Sequence, residues 1–338
     1  MRHINIPIFI PHLGCPNQCV FCNQRTISGV NDFDIQSVEK NIIDVLNTVT
    51  EDAEIEIAFF GGSFTGIDRT LMVNLLKIAK KFVDCGRVQS IRCSTRPDYI
   101  SEEILDILVE YGVKVVELGL QSVSDNVLLL TKRGHNFEAE LKAVRLITEK
   151  GLDLVGQMMI GLPGATLEDE IATAEFIINS GAKFARIYPT IVFYDTELCE
   201  MVKTNCYTPL GVEKAVERSA AVFARFVDAG VNVVRIGLCS SENLMSETTY
   251  FAGPNHAAIG ELVLNRYFLN ILEQKIDSIS PQVGAVLKIY HPRGARSKIA
   301  GQKNRNKILL INKYALTDII FEEKDGLSEY DVKVTEER

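Results

Sequence analysis

The chain has 338 residues, 46% of them hydrophobic, and a net charge of −8. That is ample for a large core, and the length suits one big α/β domain with an appendage, or two domains. Eight cysteines, three of them clustered, are too few for a disulfide scaffold, so a reducing, cytoplasmic setting is expected, and the acidic balance argues against a surface wholly devoted to nucleic acid.

The N-terminal run has no small-residue cleavage site and reads as a strand, 4–10, rather than a signal peptide; no stretch approaches the length of a membrane span. That strand is apolar on both faces, as burial in a parallel sheet requires. A loop with Cys15, Cys19 and Cys22 follows. Residues 34–49 form a helix whose inner stripe is Ile35, Val38, Ile42, Ile43, Val45 and Leu46. Strand 54–60 ends abruptly in Gly61-Gly62-Ser63-Phe64-Thr65-Gly66. Helix 71–83 and strand 88–94 lead to a loop, Ser94 to Asp98. Helix 101–111 opens on Ser101 as N-cap, with glutamates in its first turn. Strand 113–120 leads to Gln121, and helix 137–150 closes at Gly151. Strand 153–160 ends in Gly161-Leu162-Pro163-Gly164, and helix 167–179 precedes strand 184–192.

Six strands alternating with helices predict a parallel sheet with helical crossovers. Such sheets bind ligands at the carboxyl ends of their strands. The cysteines, Gly61-Gly62, Ser94 to Asp98, Gln121 and Gly161 to Gly164 all fall at such ends. Residues 1–209 are therefore expected to form the core, and 210–338 a smaller α+β extension. The extension reads as helix 212–229, strand 231–236, helix 257–276 and short β-like runs at 286–290, 308–311 and 318–321. Between the first two runs, Arg293, Arg296, Lys298, Lys303, Arg305 and Lys307 make 293–307 a basic loop that either grips phosphate or is merely solvated. Residues 334–338 are expected to fray.

The chemistry centres on the C-x3-C-x2-C spacing of Cys15, Cys19 and Cys22. Three thiolates in one loop can grip a soft metal centre and leave one coordination position open for chemistry. A zinc knuckle completed by a remote ligand, or a redox Cys-x-x-Cys pair, would give the same local string. The remaining cysteines, Cys85, Cys93, Cys199, Cys206 and Cys239, show no close pairing and read as buried small apolar residues.

With Phe21 just before its third cysteine, the motif resembles the signature of the radical S-adenosylmethionine (SAM) superfamily. The resemblance implies a (β/α)6 partial TIM barrel. It also implies a [4Fe-4S] cluster on Cys15, Cys19 and Cys22, whose fourth iron takes the amino and carboxylate groups of SAM. Phe60 to Thr65 resembles the glycine motif that binds the SAM amino group, which assigns Gly61, Gly62 and Ser63. Ser94-Thr-Arg-Pro-Asp98 is similar to the third-strand segment of the branch that includes the Elongator catalytic subunit and oxygen-independent coproporphyrinogen oxidase. Ser94 stands where relatives often carry a nucleoside-holding glutamate. Arg96 and Asp98 also read as a local ion pair at the start of the Ser101 helix. Gln121 is implied to contact the ribose and Arg133 the SAM carboxylate; Gln157 lies in the fifth-strand motif and Ile160 is implied to pack on adenine. His135 is either a proton donor or a helix-entry residue. His256 has no assigned role, and no catalytic residue is assigned.

The expected activity is reductive cleavage of SAM to a 5′-deoxyadenosyl radical, fed by an electron donor such as a flavodoxin or ferredoxin, on an unidentified substrate that includes RNA among its candidates. The alternative is an RNA-binding or assembly protein with a structural iron–sulfur or zinc site. The Elongator catalytic subunit also carries an acetyltransferase domain and a basic N-terminal extension; with fewer than sixty residues after Ser280 and Cys15 so early, neither is expected here.

Overall fold

Seven parallel strands make the main sheet of the computed structural model, which describes residues 3–10, 13–15, 19–23, 33–50, 53–238 and 248–337. In chain order come β1 (His3–Ile10), α1 (Ile35–Leu46), β2 (Glu54–Gly61), α2 (Arg69–Asp84), β3 (Ser90–Thr95) and α3 (Glu102–Glu110). There follow β4 (Val113–Gln121), α4 (Asp125–Leu130), α5 (Phe137–Glu149), β5 (Asp153–Ile160), α6 (Leu167–Asn179) and β6 (Phe184–Pro189). After β7 (Val192–Phe193), α7 (Glu197–Lys203) and α8 (Val212–Asp228), the strand β8 (Asn232–Ile236) returns to the sheet. The order is β1-β2-β3-β4-β5-β6-β8, curled into a half-barrel with β1 and β8 as its edges. The parallel sheet expected from the βα alternation and the partial barrel implied by the resemblance are therefore present, with a seventh strand added to the expected six.

A strand turns successive side chains to opposite faces. On β4, Val116, Leu118 and Leu120 join the main core. On β5, Leu154, Met158 and Ile160 do the same, and Gly156 on that face packs so closely on Ile177 of α6 that a Cβ would lie 2.6 Å from it. The helices thus cover this face, and each fully buried Leu, Ile or Phe there contributes roughly 1.5–3 kcal/mol. The opposite, concave face carries Glu56, Arg92, Glu117 and Gln157 at mid-strand. Helix ends follow the local code: Ser101 accepts from the Ile104 N–H at 3.3 Å, and Thr166 with Asp169 forms a capping box at α6.

The rest of the chain holds β9 (Tyr250–Ala252), α9 (Ile259–Ile279), β10 (Val286–His291), α10 (Arg296–Ala300), α11 (Arg305–Tyr314), β11 (Asp318–Glu323) and β12 (Lys333–Glu337). β9 pairs antiparallel with β7, and β10 is the middle strand of a small sheet, parallel to β11 and antiparallel to β12. An aromatic group, Phe223, Tyr267 and Tyr330, joins α8 and α9 to the segment before β12 with ring centroids 5.0–6.0 Å apart. Residue 209, the expected boundary, lies between α7 and α8, and β8 is beyond it.

Three expectations for the extension are corrected. Residues 308–311, expected as β-like, belong to helix α11: Asn306 and Leu310 are buried one turn apart with Tyr314 partly buried a turn on, while Ile308 and Leu309 are exposed. A run of four apolar residues fits either period, and packing chose the helical one. The basic stretch 293–307 is not an open loop but contains α10, a 3-10 turn and the start of α11. Residues 333–337 do not fray, because they are hydrogen-bonded to β10. Cys239 lies outside the described residues.

Candidate active site at the strand carboxyl ends

The cysteine loop and the glycine turn after β2 meet backbone to backbone. The Gly62 N–H donates to the Ile10 carbonyl at 2.9 Å, which ties the turn to the end of β1. A Cβ on Gly62 would lie 2.2 Å from the Leu13 carbonyl oxygen, and one on Gly14, at φ +75°, would lie 2.2 Å from the Ser63 carbonyl oxygen. Neither position has room for a side chain, and Gly14 also needs a left-handed backbone. The Cys15 thiol comes within hydrogen-bond reach of the Ser63 backbone. Further along, the Val20 N–H donates to Thr131 O at 3.2 Å and the Leu198 N–H to Val20 O at 2.8 Å, so the loop is also pinned to the Arg133 segment and to α7. Phe21 packs with Val20, Val192, Leu198 and Cys199 in a small apolar cluster beneath it.

Cys19 is the buried member of the three thiols and takes two cations. Arg133 Nη1 is 3.3 Å and Arg96 Nη1 3.7 Å from its sulfur. Both guanidinium groups are placed to donate N–H to that sulfur. Burial pushes the Cys15 thiol up, while Arg96, the Ser63 backbone and Arg133 pull it down. Arg96 is gripped by both Asp98 oxygens at 2.9 Å and also donates to the Arg133 carbonyl, and Arg133 Nη2 reaches the Gly119 carbonyl at 2.5 Å. Behind them His135 lies between Asp98 Oδ1, 3.6 Å from Nδ1, and Glu140 Oε1, 3.1 Å from Nε2. Burial, helped by Arg133, lowers His135 to about 4, and burial raises Glu140 well above the usual carboxylate range. His135 is thus neutral near pH 7, and it faces a carboxyl that burial holds toward its protonated form.

Below the rim, an ionic chain crosses the concave face from strand to strand. His3 Nε2 meets Glu56 at 2.8 Å; Arg92 bridges Glu56 at 2.6 Å and Glu117 at 2.9 Å. Glu117 also receives Arg186 Nη2 at 3.0 Å and Gln157 Nε2 at 2.9 Å, with Ser94 Oγ at 3.5 Å. Arg186 lies over the Phe60 ring, 5.7 Å from its centroid.

The structure sorts the expected site residues into three groups. Cys15, Cys19, Gly61, Gly62, Ser63, Gln121 and Arg133 gather at the rim, linked through the contacts above; a Cβ on Gly119 would touch the Gln121 amide at 3.0 Å. Ser63 and Thr65 share Thr95 through hydroxyl contacts of 2.8 and 2.5 Å, so these hydroxyls join β2 to β3. Ser94 and Gln157 face Glu117, one layer down. Ile160 is fully buried in the main core on the helix-facing side of β5. Cys22 closes the loop through its N–H to Cys19 O at 3.0 Å. Of the other cysteines, Cys93 and Cys199 are buried as expected, whereas Cys85 and Cys206 are exposed. His256 accepts from the Ala258 N–H at 3.1 Å near the start of α9. Sequence reasoning passed over Arg92, Glu117 and Arg186, took Arg96 with Asp98 only as a helix-start pair, and overlooked Thr190, whose buried hydroxyl at the end of β6 has no partner among the described residues.

Gln121 Oε1 and Arg133 Nε are likewise buried without partners among the described atoms. Orphaned polar atoms call for an explanation, and a polar ligand at the rim supplies one. Among the described residues no three His, Cys, Asp or Glu side chains are gathered to hold a single metal ion. A four-iron cluster makes a different demand, with one thiolate for each of three separate irons. Open half-barrel, thiol loop and orphaned polar rim together define a class of barrel enzyme that works through a cofactor at its strand carboxyl ends.

Comparison with known proteins gives the family. The radical SAM superfamily pattern matches residues 9–177 and a radical SAM C-terminal domain matches 182–268, so the chain belongs to the radical SAM superfamily, whose members hold a [4Fe-4S] cluster and SAM. Among curated relatives, the tRNA uridine(34) acetyltransferase of Methanocaldococcus infernus is 37% identical over 184 residues, covering 48% of this chain and 34% of that protein. Elongator complex protein 3 of Homo sapiens is 32% identical over 179 residues, covering 52% and 32%. The match thus spans about a third of these relatives. Among solved structures, the archaeal Methanocaldococcus infernus Elp3 with an N-terminal deletion superposes with a TM-score of 0.63 at 23% identity, over 81% of this chain and 63% of that one. Coproporphyrinogen III oxidase from Escherichia coli gives 0.50 at 16% identity, over 79% and 58%. These structural likenesses bear on the fold alone, while the sequence matches make about half of the chain similar to the Elongator-like branch.

Proposed function

We propose that Cys15, Cys19 and Cys22 hold the [4Fe-4S] cluster, that the rim holds SAM, and that the substrate is an RNA. The observation that carries the site is the joint between the cysteine loop and the Gly61–Gly62 turn, with two arginines on the Cys19 sulfur. When bound, the cluster and SAM supply one-electron cleavage of a carbon–sulfur bond and hence a carbon radical. The chain's own residues orient and shield. Arg133 offers a guanidinium at the rim where a carboxylate fork can be met. Gln121 presents an unsatisfied amide oxygen to a hydroxyl donor. The cysteine loop, lying on Val192, Leu198 and Cys199, covers one side of the site with apolar packing that excludes water.

The RNA reading is supported by the names of the curated relatives and by a basic surface on the extension. Arg293, Arg296 and Lys303 are exposed and make no ion pair among the described residues, whereas Lys298, Arg305 and Lys307 face Glu329, Glu213 and Asp318. The first three are therefore the better candidates for phosphate contacts. Anaerobic reconstitution tests the site: wild type should take up four irons and sulfides and release 5′-deoxyadenosine with reductant and SAM. Alanine at Cys15, Cys19 or Cys22 should remove both signals. A mobility shift with tRNA at two salt concentrations tests the substrate. Glutamine at Arg293, Arg296 and Lys303 should weaken binding and flatten its salt dependence by about one counterion per lost contact; no wild-type shift at low salt overturns the RNA reading. The electron donor, a flavodoxin- or ferredoxin-like carrier, belongs to the same proposal.

A further inference from the structure

The three candidate ligands do not have equal surroundings. Cys19 is 8% exposed, while Cys15 and Cys22 are partly exposed. Cys19 also receives two guanidinium groups, and these approach from different loops: Arg96 follows β3 and Arg133 follows α4. Arg133 is already assigned to the rim in the proposal above, and its Nε has no partner among the described residues. Arg96 is committed on every side. Asp98 holds its Nε and Nη2 at 2.9 Å, the Arg133 carbonyl takes Nη2, and His135 Nδ1 stands 3.5 Å from Nη2. This leaves Nη1 aimed at the Cys19 sulfur. The Arg96 side chain is 5% exposed and that of His135 1%, so water does not compete for these bonds. Arginine at such a bidentate site is not replaceable by lysine, which lacks the planar fork.

A hydrogen bond to a ligand sulfur draws electron density from it and stabilises the cluster state that carries the extra electron. We infer that Arg96, aimed by Asp98 and His135, is a positioning residue that raises the reduction potential of the cluster by donating to the Cys19 sulfur. The inference rests on the ligand assignment proposed above. The step it governs is the transfer of one electron from the carrier protein to the oxidised cluster: the carrier is oxidised by one electron, the cluster is reduced by one, and no bond is made or broken.

The experiment uses the reconstituted full chain, with iron and sulfide content measured beside an anaerobic potentiometric titration followed by electron paramagnetic resonance. Arg96→Gln is expected to keep its iron and to show a midpoint potential shifted to more negative values. Arg96→Lys, which keeps the charge without the fork, should shift less, and Asp98→Asn, which loosens the aim, should fall between wild type and Arg96→Gln. Arg145→Gln, in an exposed ion pair with Glu149 on α5, should match wild type. An iron-loaded Arg96→Gln with an unchanged potential overturns the inference. If Arg96→Gln does not load, Arg96→Lys and Asp98→Asn decide: wild-type potentials in both overturn it. A wild-type chain that takes up no cluster is a separate outcome and defeats the ligand assignment itself.

Discussion

Two tiers of the same concave face are built on opposite plans. At the rim, loops are joined through main-chain atoms, and the buried atoms Gln121 Oε1, Arg133 Nε and Thr190 Oγ1 have no partner among the described residues. One layer down, Glu56, Arg92, Glu117 and Arg186 are joined through ion pairs across strands β2, β3, β4 and β6, although Arg186 Nε, 2.9 Å from Glu117, makes no well-formed hydrogen bond among the described residues. The rim is organised to receive something; in the lower tier the charges are paired with one another. A buried, paired ionic chain adds little net stability over an apolar core, yet removing one member is expensive, because its partners are stranded.

That asymmetry can be broken by substitution. Glu117→Ala leaves Arg92 and Arg186 facing each other without the shared carboxylate, and should destabilise the fold by about 3–5 kcal/mol in denaturant unfolding. An effect within 1 kcal/mol would mean the lower tier is wetter and looser than its distances imply. Between the tiers, His135 is neutral in the fold at about 4, whereas an unfolded histidine protonates near 6.5. Its contribution is therefore fully present above the unfolded value and is lost as pH falls through the window from 6.5 to 4, by up to roughly 3 kcal/mol. His135→Gln should flatten the stability profile of wild type over that window, and parallel profiles would contradict the buried, uncharged histidine. At the rim, Gly62→Ala puts a methyl group on the Leu13 carbonyl and should cost about 1–3 kcal/mol, with iron uptake reduced more than folding. Equal uptake in the variant would separate the glycine turn from the cysteine loop. Ser101→Ala lies outside both tiers and should lose about 1 kcal/mol of helix capping with no change in iron content.

The rim was legible in the sequence and the lower tier was not, for a physical reason. Cys15, Cys19 and Cys22, and Gly61 with Gly62, sit within a few residues of one another, and each group's chemistry can be read locally. Arg92 and Glu117 are 25 residues apart and Glu117 and Arg186 are 69 apart, so only the sheet order makes them neighbours. A signal was nonetheless available. Glu56, Arg92, Glu117 and Arg186 each stand between two apolar residues within a strand, and parallel strands buried on both faces rarely tolerate a charge at such a position. Helix α11 was misread because Ile308 to Ile311 offers no period in four residues; Asn306, a polar residue buried against Asn265 and Ile299, set its inner face, and polar burial is what hydrophobic patterning overlooks. Ile160 was assigned from resemblance, but strand alternation alone, counted from Glu117-facing Gln157, turns it toward α6.

The contact between Gly14 and Ser63 has a bearing on how the protein matures. Two stretches of main chain lying against each other need no inorganic centre to stay together, so the pocket should be standing before iron arrives, and metal delivery becomes a filling event rather than a folding event. The metal-free chain should then be an isolable, cooperative species whose melting point moves little when iron and sulfide are added.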